Sequence, residues 1–179
     1  MSRTREDFLD VFVKAVNICT PEHPYWDTDE AYPITADQVK YSYCTKSGSY
    51  WARCGPRRRY SGNVALYAID TSYYQSISPE RVLAVTTHEL THITHGSHEG
   101  RYATSHPKKF WQEMAFNAQQ IRDNLNQFTE VLGEIDTDAY VTEVIKDPNS
   151  FTVDKRIHTA EECQEMVSEL LGVDYTTID

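Results

Sequence analysis

A chain of 179 residues with 40% hydrophobic and 12% aromatic content is sized for one globular domain whose core needs no staple. Its net charge of −10, from 27 acidic and 17 basic residues, disfavours the broad positive footprint that non-specific nucleic-acid binding requires. No apolar run approaches the roughly 20 residues that span a bilayer, and the charged segment Met1 to Asp10 lacks the apolar core of a signal peptide.

An intracellular, cytoplasmic protein without a membrane partner is therefore expected. An acidic surface of this kind also suits a salt-rich environment. The local basic clusters, Arg53 with Arg57, Arg58 and Arg59, then Arg101 with Lys108 and Lys109, read as solvated loop charges. Cys19, Cys44, Cys54 and Cys163 form no C-x-x-C pair. No zinc ribbon is encoded, and free thiols are expected in a reducing compartment.

In chain order, Phe8, Val11, Phe12, Ala15 and Val16 recur at helical spacing and predict a first helix over Thr4 to Ile18, capped by Thr4. Pro21 and Pro24 end it, and Thr20 to Asp37 reads as loop. Val39 to Tyr43 and Tyr50 to Arg53 are β-rich runs around Lys46-Ser47-Gly48-Ser49, which predicts a hairpin with Cys44 and Cys54 on its arms. Gly55-Pro56 breaks the second strand, and Asn63 to Thr71 predicts a third. Ser78-Pro79-Glu80 then opens a helix with a capping hydroxyl, a proline at the first helical position and an acid in the first turn.

Further on, Gly96 and Gly100 supply the exit from that helix. A seam of Trp111, Met114, Ala118, Ile121, Leu125 and Phe128 predicts a long helix from Pro107, packed under the preceding one, until Gly133 interrupts it. Asp136 to Lys146 reads as a short helix stopped before Pro148, and Phe151 to Val153 as a short strand. Thr159-Ala160-Glu161-Glu162 has the capping-box pattern and opens a last helix ended by Gly172. A helix, a few strands, then further helices is an α+β order rather than alternating βαβ. The chain reads as one domain over residues 1–179, with no repeat, low-complexity tract or linker.

The chemistry lies in His88-Glu89-Leu90-Thr91-His92, an H-E-x-x-H inside the apolar-periodic run from Val82 to Ile93. Residues four apart share one helix face, so both imidazoles reach one ion. Zinc suits two neutral histidine nitrogens and a third protein ligand, with one position left for water. Glu89 is placed to take that water's proton. Five of the seven histidines, His88, His92, His95, His98 and His106, fall within 19 residues, a density that composition alone does not explain. The chain thus reads as a zinc-dependent peptidase acting on a protein or peptide substrate.

The third ligand has several candidates. His95, on a continued helix, would lie about 10.5 Å along the axis from His88, where three ligands in line cannot converge. His98 sits six residues past His92, the spacing of H-E-x-x-H-x-x-G-x-x-H, but the glycine comes one residue late, at Gly96. His106 stands at the mouth of the following helix, where it can turn back toward the first. Glu113, a turn and a half further, is a carboxylate alternative.

The motif, followed by Gly100-Arg101-Tyr102-Ala103-Thr104-Ser105-His106-Pro107-Lys108-Lys109-Phe110-Trp111, resembles the SprT-like zinc metallopeptidase family, which shows H-E-x-x-H, a variable loop, and a third histidine four residues before an aromatic. Val39 to Tyr43, Tyr50-Trp51-Ala52 and Leu66 to Asp70 resemble that family's strands, so the similarity spans about residues 38–114, with 115–179 a helical C-terminal extension. The resemblance implies a zincin-like α+β fold with a small, mostly antiparallel sheet. It also implies Zn2+ held by His88, His92 and His106, with Glu89 as general base. The related WLM peptidases instead favour a histidine at the position of His98, in a context that His95-Gly96-Ser97-His98 also fits. Relatives acting on DNA-bound protein carry a basic or zinc-ribbon C-terminus, whereas residues 115–179 are acidic, so that substrate class does not transfer.

Two further expectations attach to the site. Tyr102 or Arg101 is placed to support the developing oxyanion. The rival reading is a non-proteolytic module in which the metal staples the fold and the acidic C-terminal third docks a protein partner. Retention of Glu89 favours the enzyme, since a purely structural site gains nothing from a base.

Overall fold

The structure, a computed structural model, describes residues 3–19, 39–43, 52–56, 65–69, 77–94, 106–150 and 159–178, with the strand segments, residue 93 and residues 149–150 given by backbone alone. Five helices carry the body: α1 (Arg5–Cys19), α2 (Pro79–Thr94), α3 (Lys108–Arg122), α4 (Thr137–Ser150) and α5 (Ala160–Leu170). Three short strands, β1 (Val39–Tyr43), β2 (Ala52–Pro56) and β3 (Ala65–Ile69), lie between α1 and α2 in sequence.

α2 is the centre of the body. It contacts α1, α3 and α4, with β2 against it as well. Its side chains are buried on every face from Val82 to His92, not along one stripe, the pattern of a helix enclosed by the core rather than laid on it. The run can be buried because its threonines bond to their own helix. Thr86 Oγ1 donates to the Val82 carbonyl (2.9 Å), Thr87 Oγ1 to Leu83 (2.8 Å) and Thr91 Oγ1 to Thr87 (2.7 Å), so no hydroxyl bears the cost of unmet burial. Ser78 caps the start, its Oγ accepting from the Arg81 amide at 3.1 Å.

Around α2 each neighbour contributes an apolar stripe. α1 gives Phe8, Val11, Phe12, Ala15 and Val16, all buried, and Thr4 Oγ1 caps it by accepting from the Asp7 amide. α3 gives Phe110, Trp111, Met114, Ala118 and Ile121. α4 gives Tyr140, Val141, Val144 and Ile145, and α5, packed on α3 and α4, adds Cys163 and Val167. Residues from Phe8 to Leu171 thus share one apolar cluster, each fully buried Leu, Phe or Val adding about 1.5–3 kcal/mol of transfer free energy.

Four sequence expectations are corrected. The first is the zincin-like α+β class with a mostly antiparallel sheet. Of the residues whose side chains are described, 81% are helical and none lies in a strand, so the body is a helical assembly. The sheet itself is mixed, with order β1-β3-β2, β1 parallel to β3 and β2 antiparallel to it. The second is the hairpin of β1 and β2. β3 sits between them, and its pairing with both separates runs that alternation and a glycine turn appeared to join. Gly55 and Pro56 close β2 instead of breaking it, which an edge strand tolerates because proline has no amide to give a ladder.

The third correction concerns the seam from Trp111 to Phe128, which is not one helix. α3 ends at Arg122, and a 3-10 turn (Leu125–Phe128) and a single helical turn (Thr129–Leu132) carry Phe128 and Leu132 into the core. The fourth is Pro148, which lies inside α4 rather than beyond it. There its missing amide falls in the last turn, where only one intrahelical bond is forfeited. The expected strand at Phe151 to Val153 lies outside the described residues.

α5 begins and ends as its sequence implies. Thr159 and Glu162 form the reciprocal capping box, and Gly172, at φ 68°, receives the chain in a left-handed turn closed by Val173 N to Ser168 O and Gly172 N to Glu169 O, the arrangement that favours glycine just past a helix. Among the described residues, no helix is long and apolar enough to cross a membrane.

Burial gives the fold a pH dependence. Desolvation pushes the Cys19 thiol far above its ordinary value of 9.0, where it donates to the Asn117 carbonyl. A raised acid pKa adds stability that is complete below the unfolded value and is lost as pH rises beyond it, up to about 1.4 kcal/mol per pH unit. Chemical denaturation between about pH 8 and about pH 10 should therefore show falling stability, with a flatter decline in Cys19→Ala; equal slopes would show that the thiol does not contribute.

Candidate metal centre

Helical spacing puts His88 and His92 on one face of α2, one turn apart. α3 supplies the rest. Pro107 is its N-cap, in extended backbone at φ −70° and ψ 166°, and a residue before proline is itself restricted to extended geometry. His106 is thus turned back across the mouth of α3 toward α2, and the Trp111 indole N–H donates to its carbonyl at 3.2 Å.

The three imidazoles converge. His106 Nε2 lies 3.1 Å from His88 Nε2 and 3.3 Å from His92 Nε2, and the ligand atoms of all three fall within 4.8 Å of one another. All are buried, at 1%, 7% and 7% exposure. Phe110 packs against every one of them, with ring centroids at 5.0 Å from His88, 4.8 Å from His92 and 4.7 Å from His106. The aromatic four residues after His106 is therefore the floor against which the three rings are set.

Behind His88 stands a contact from the far side of the core. Its Nδ1 lies 2.7 Å from Asp147 Oδ2, in the last turn of α4. Arg81, about two turns before His88 on α2, reaches Glu143 Oε2 at 3.3 Å and Asp147 Oδ1 at 3.7 Å. Burial dominates the protonation of this pair. It lowers the His88 pKa well below the ordinary imidazole value, with Arg81 pushing the same way. It raises Asp147 above the ordinary carboxylate range, against the opposing pull of Arg81 and His106. Burial thus favours the neutral imidazole of His88, the form in which a ring nitrogen binds a metal.

The donor set fits a cation. His106 Nε2 is shared by both short contacts, and one ring nitrogen carries at most one proton, so it cannot donate in both. Three nitrogen lone pairs drawn together in a buried pocket are each other's poor partners, and a positive ion at their focus resolves the conflict. The group of His88, His92 and His106 can therefore hold a metal ion.

The other candidates fall elsewhere. Glu89 is buried on α2 beside His88, at 2% exposure. Glu113 is buried on α3, with Lys109 Nζ 3.8 Å from its Oε1, and is not part of the histidine group. His95 and His98 lie outside the described residues, as do Arg101 and Tyr102. Sequence reasoning missed Asp147, Arg81 and Glu143. One signal was available: Asp147 stands three and seven residues beyond Val144 and Tyr140, an acid on the buried stripe of α4, where a carboxylate without a partner is costly.

Comparison with protein-family models, with curated proteins and with solved structures returned no match. The metal group makes a direct prediction. Purified protein equilibrated with a divalent cation should retain one ion per chain by elemental analysis. His88→Ala, His92→Ala and His106→Ala should each lower affinity by more than the roughly 10–100-fold that follows from losing a group behind a ligand. His98→Ala should retain the ion; loss in that variant with retention in His106→Ala would reassign the third ligand.

Proposed function

We propose that this chain is a zinc-dependent peptidase of the SprT-like kind, hydrolysing peptide bonds in a protein substrate. The observation that carries the reading is the convergence of three buried imidazole nitrogens beside a buried glutamate on the same helix. Zn–N bonds of about 2.0–2.1 Å at tetrahedral angles place ligand nitrogens about 3.3 Å apart, against the 3.1 and 3.3 Å found for two of the pairs. The all-nitrogen donor set suits zinc better than the oxygen-seeking magnesium or calcium. The resemblance of residues 38–114 to SprT-like metallopeptidases supports the same reading.

When bound, zinc would polarise the scissile carbonyl and acidify a water at the vacant position. The chain's residues then divide the work. His88, His92 and His106 hold the ion from one side, with Phe110 closing the space behind their rings. Glu89 accepts the proton of the attacking water and returns it to the leaving amine, so one carboxylate serves as base and then as acid. Among the described residues three protein ligands rather than four converge, which would leave room for that water and distinguish a hydrolytic centre from a structural staple.

Glu89→Gln tests the assignment. The variant should bind zinc as the wild type does and unfold at the same temperature, while cleavage of an unfolded protein substrate falls by about 10²–10⁴-fold. Cleavage at the wild-type rate would remove Glu89 from the mechanism. A wild-type chain that binds zinc, melts on chelation and cleaves nothing would favour the structural staple instead.

A further inference from the structure

The C-terminal third is more than an extension beside the site, because α4 reaches it. Asp147 is fully buried and its Oδ2 lies 2.7 Å from Nδ1 of His88, the nitrogen opposite the one that faces His106. An ion held at Nε2 requires the His88 ring proton to sit on Nδ1, and a carboxylate oxygen at that distance is its natural acceptor. Arg81 spans Glu143 and the other oxygen of Asp147, so the carboxylate is approached from both sides and its rotamer is set from α2 and α4 together.

We propose that Asp147, held by Arg81, is the positioning residue of the metal centre: it orients the His88 ring and selects the tautomer that presents Nε2 to the ion. This rests on the reading of His88, His92 and His106 as a zinc site, though not on the peptidase activity. Asp147 touches neither substrate nor ion. It acts through His88, and it makes the helices after residue 136 part of the site rather than a detachable docking segment. An orienting carboxylate lowers the freedom that a metal-ligating ring would lose on binding and raises the basicity of its ligand nitrogen.

The alternative is that Asp147 only joins α2 to α4. That joint has a second polar contact, Thr87 Oγ1 with Tyr140 Oη at 2.9 Å, which touches no ligand and so serves as the control. The experiment is a zinc Kd by competition with a chromophoric chelator, alongside thermal unfolding of the zinc-free chain. Asp147→Ala and the isosteric Asp147→Asn should each weaken zinc binding about 10–100-fold, with Asp147→Glu recovering part of the loss. Tyr140→Phe should lower the unfolding temperature and leave the zinc Kd within about twofold of wild type. In zinc-loaded protein, nitrogen NMR of the imidazoles should show His88 protonated at Nδ1 in the wild type.

A zinc Kd unchanged in Asp147→Asn, or weakened equally by Tyr140→Phe, would overturn the positioning role while leaving the zinc site standing. A wild-type chain that binds no zinc would overturn both. Zinc binding with the predicted Asp147 losses, but no proteolysis, would retain the positioning role and remove only the peptidase.

Discussion

The structure turns on the burial of a polar face inside a helix that has no exposed side. His88, Glu89 and His92 are all enclosed with α2, and each would prefer water to an apolar wall unless something offsets the transfer. Three devices do so. The threonines of α2 bond to their own turns, Asn117 donates to Thr91 and Thr94 at 3.0 Å each, and the imidazoles face one another, with Asp147 behind His88. A positive charge at the point where the three nitrogens meet would add to these.

The same constraint explains the order of the chain around it. α1 contributes apolar surface, whereas α3 and α4, which touch the polar side of α2, carry the buried polar residues Glu113, Asn117 and Asp147. Tyr140 does both, filling core volume and meeting Thr87 through its hydroxyl. The core and the candidate centre are therefore one packing problem rather than a scaffold with a site added at its surface. Asp147 brings α4 to the His88 ring, whereas Tyr140 joins the same two helices without touching a ligand.

Legibility in the sequence followed the range of the interactions. α1, the start of α2 and the capping box of α5 rest on contacts within a few residues, so periodicity and caps locate them. His88 and His92 share a helix face by spacing alone. His106 was named through a family pattern, and its place beside them depends on how α3 docks. The strand pairing was misread because β1 joins β3 across a long separation, while the glycine turn near residue 48 suggested a local hairpin. Asp147 was missed because its partner lies 59 residues away, and nothing local tells a buried acid from a solvated one. Pro148 shows the converse error: a strong local breaker is tolerated when it falls where the helix has little left to lose.

The junction of α2 and α3 carries a consequence of its own. His92 and His106 are 14 positions apart and their ring nitrogens lie 3.3 Å from each other, so an ion held there would clasp α2 to α3. Closing such a span costs entropy that grows only slowly with its length, about 0.6 kcal/mol for each doubling. The grip of such a clasp would rest on how α2 and α3 dock, not on the length of chain that joins them.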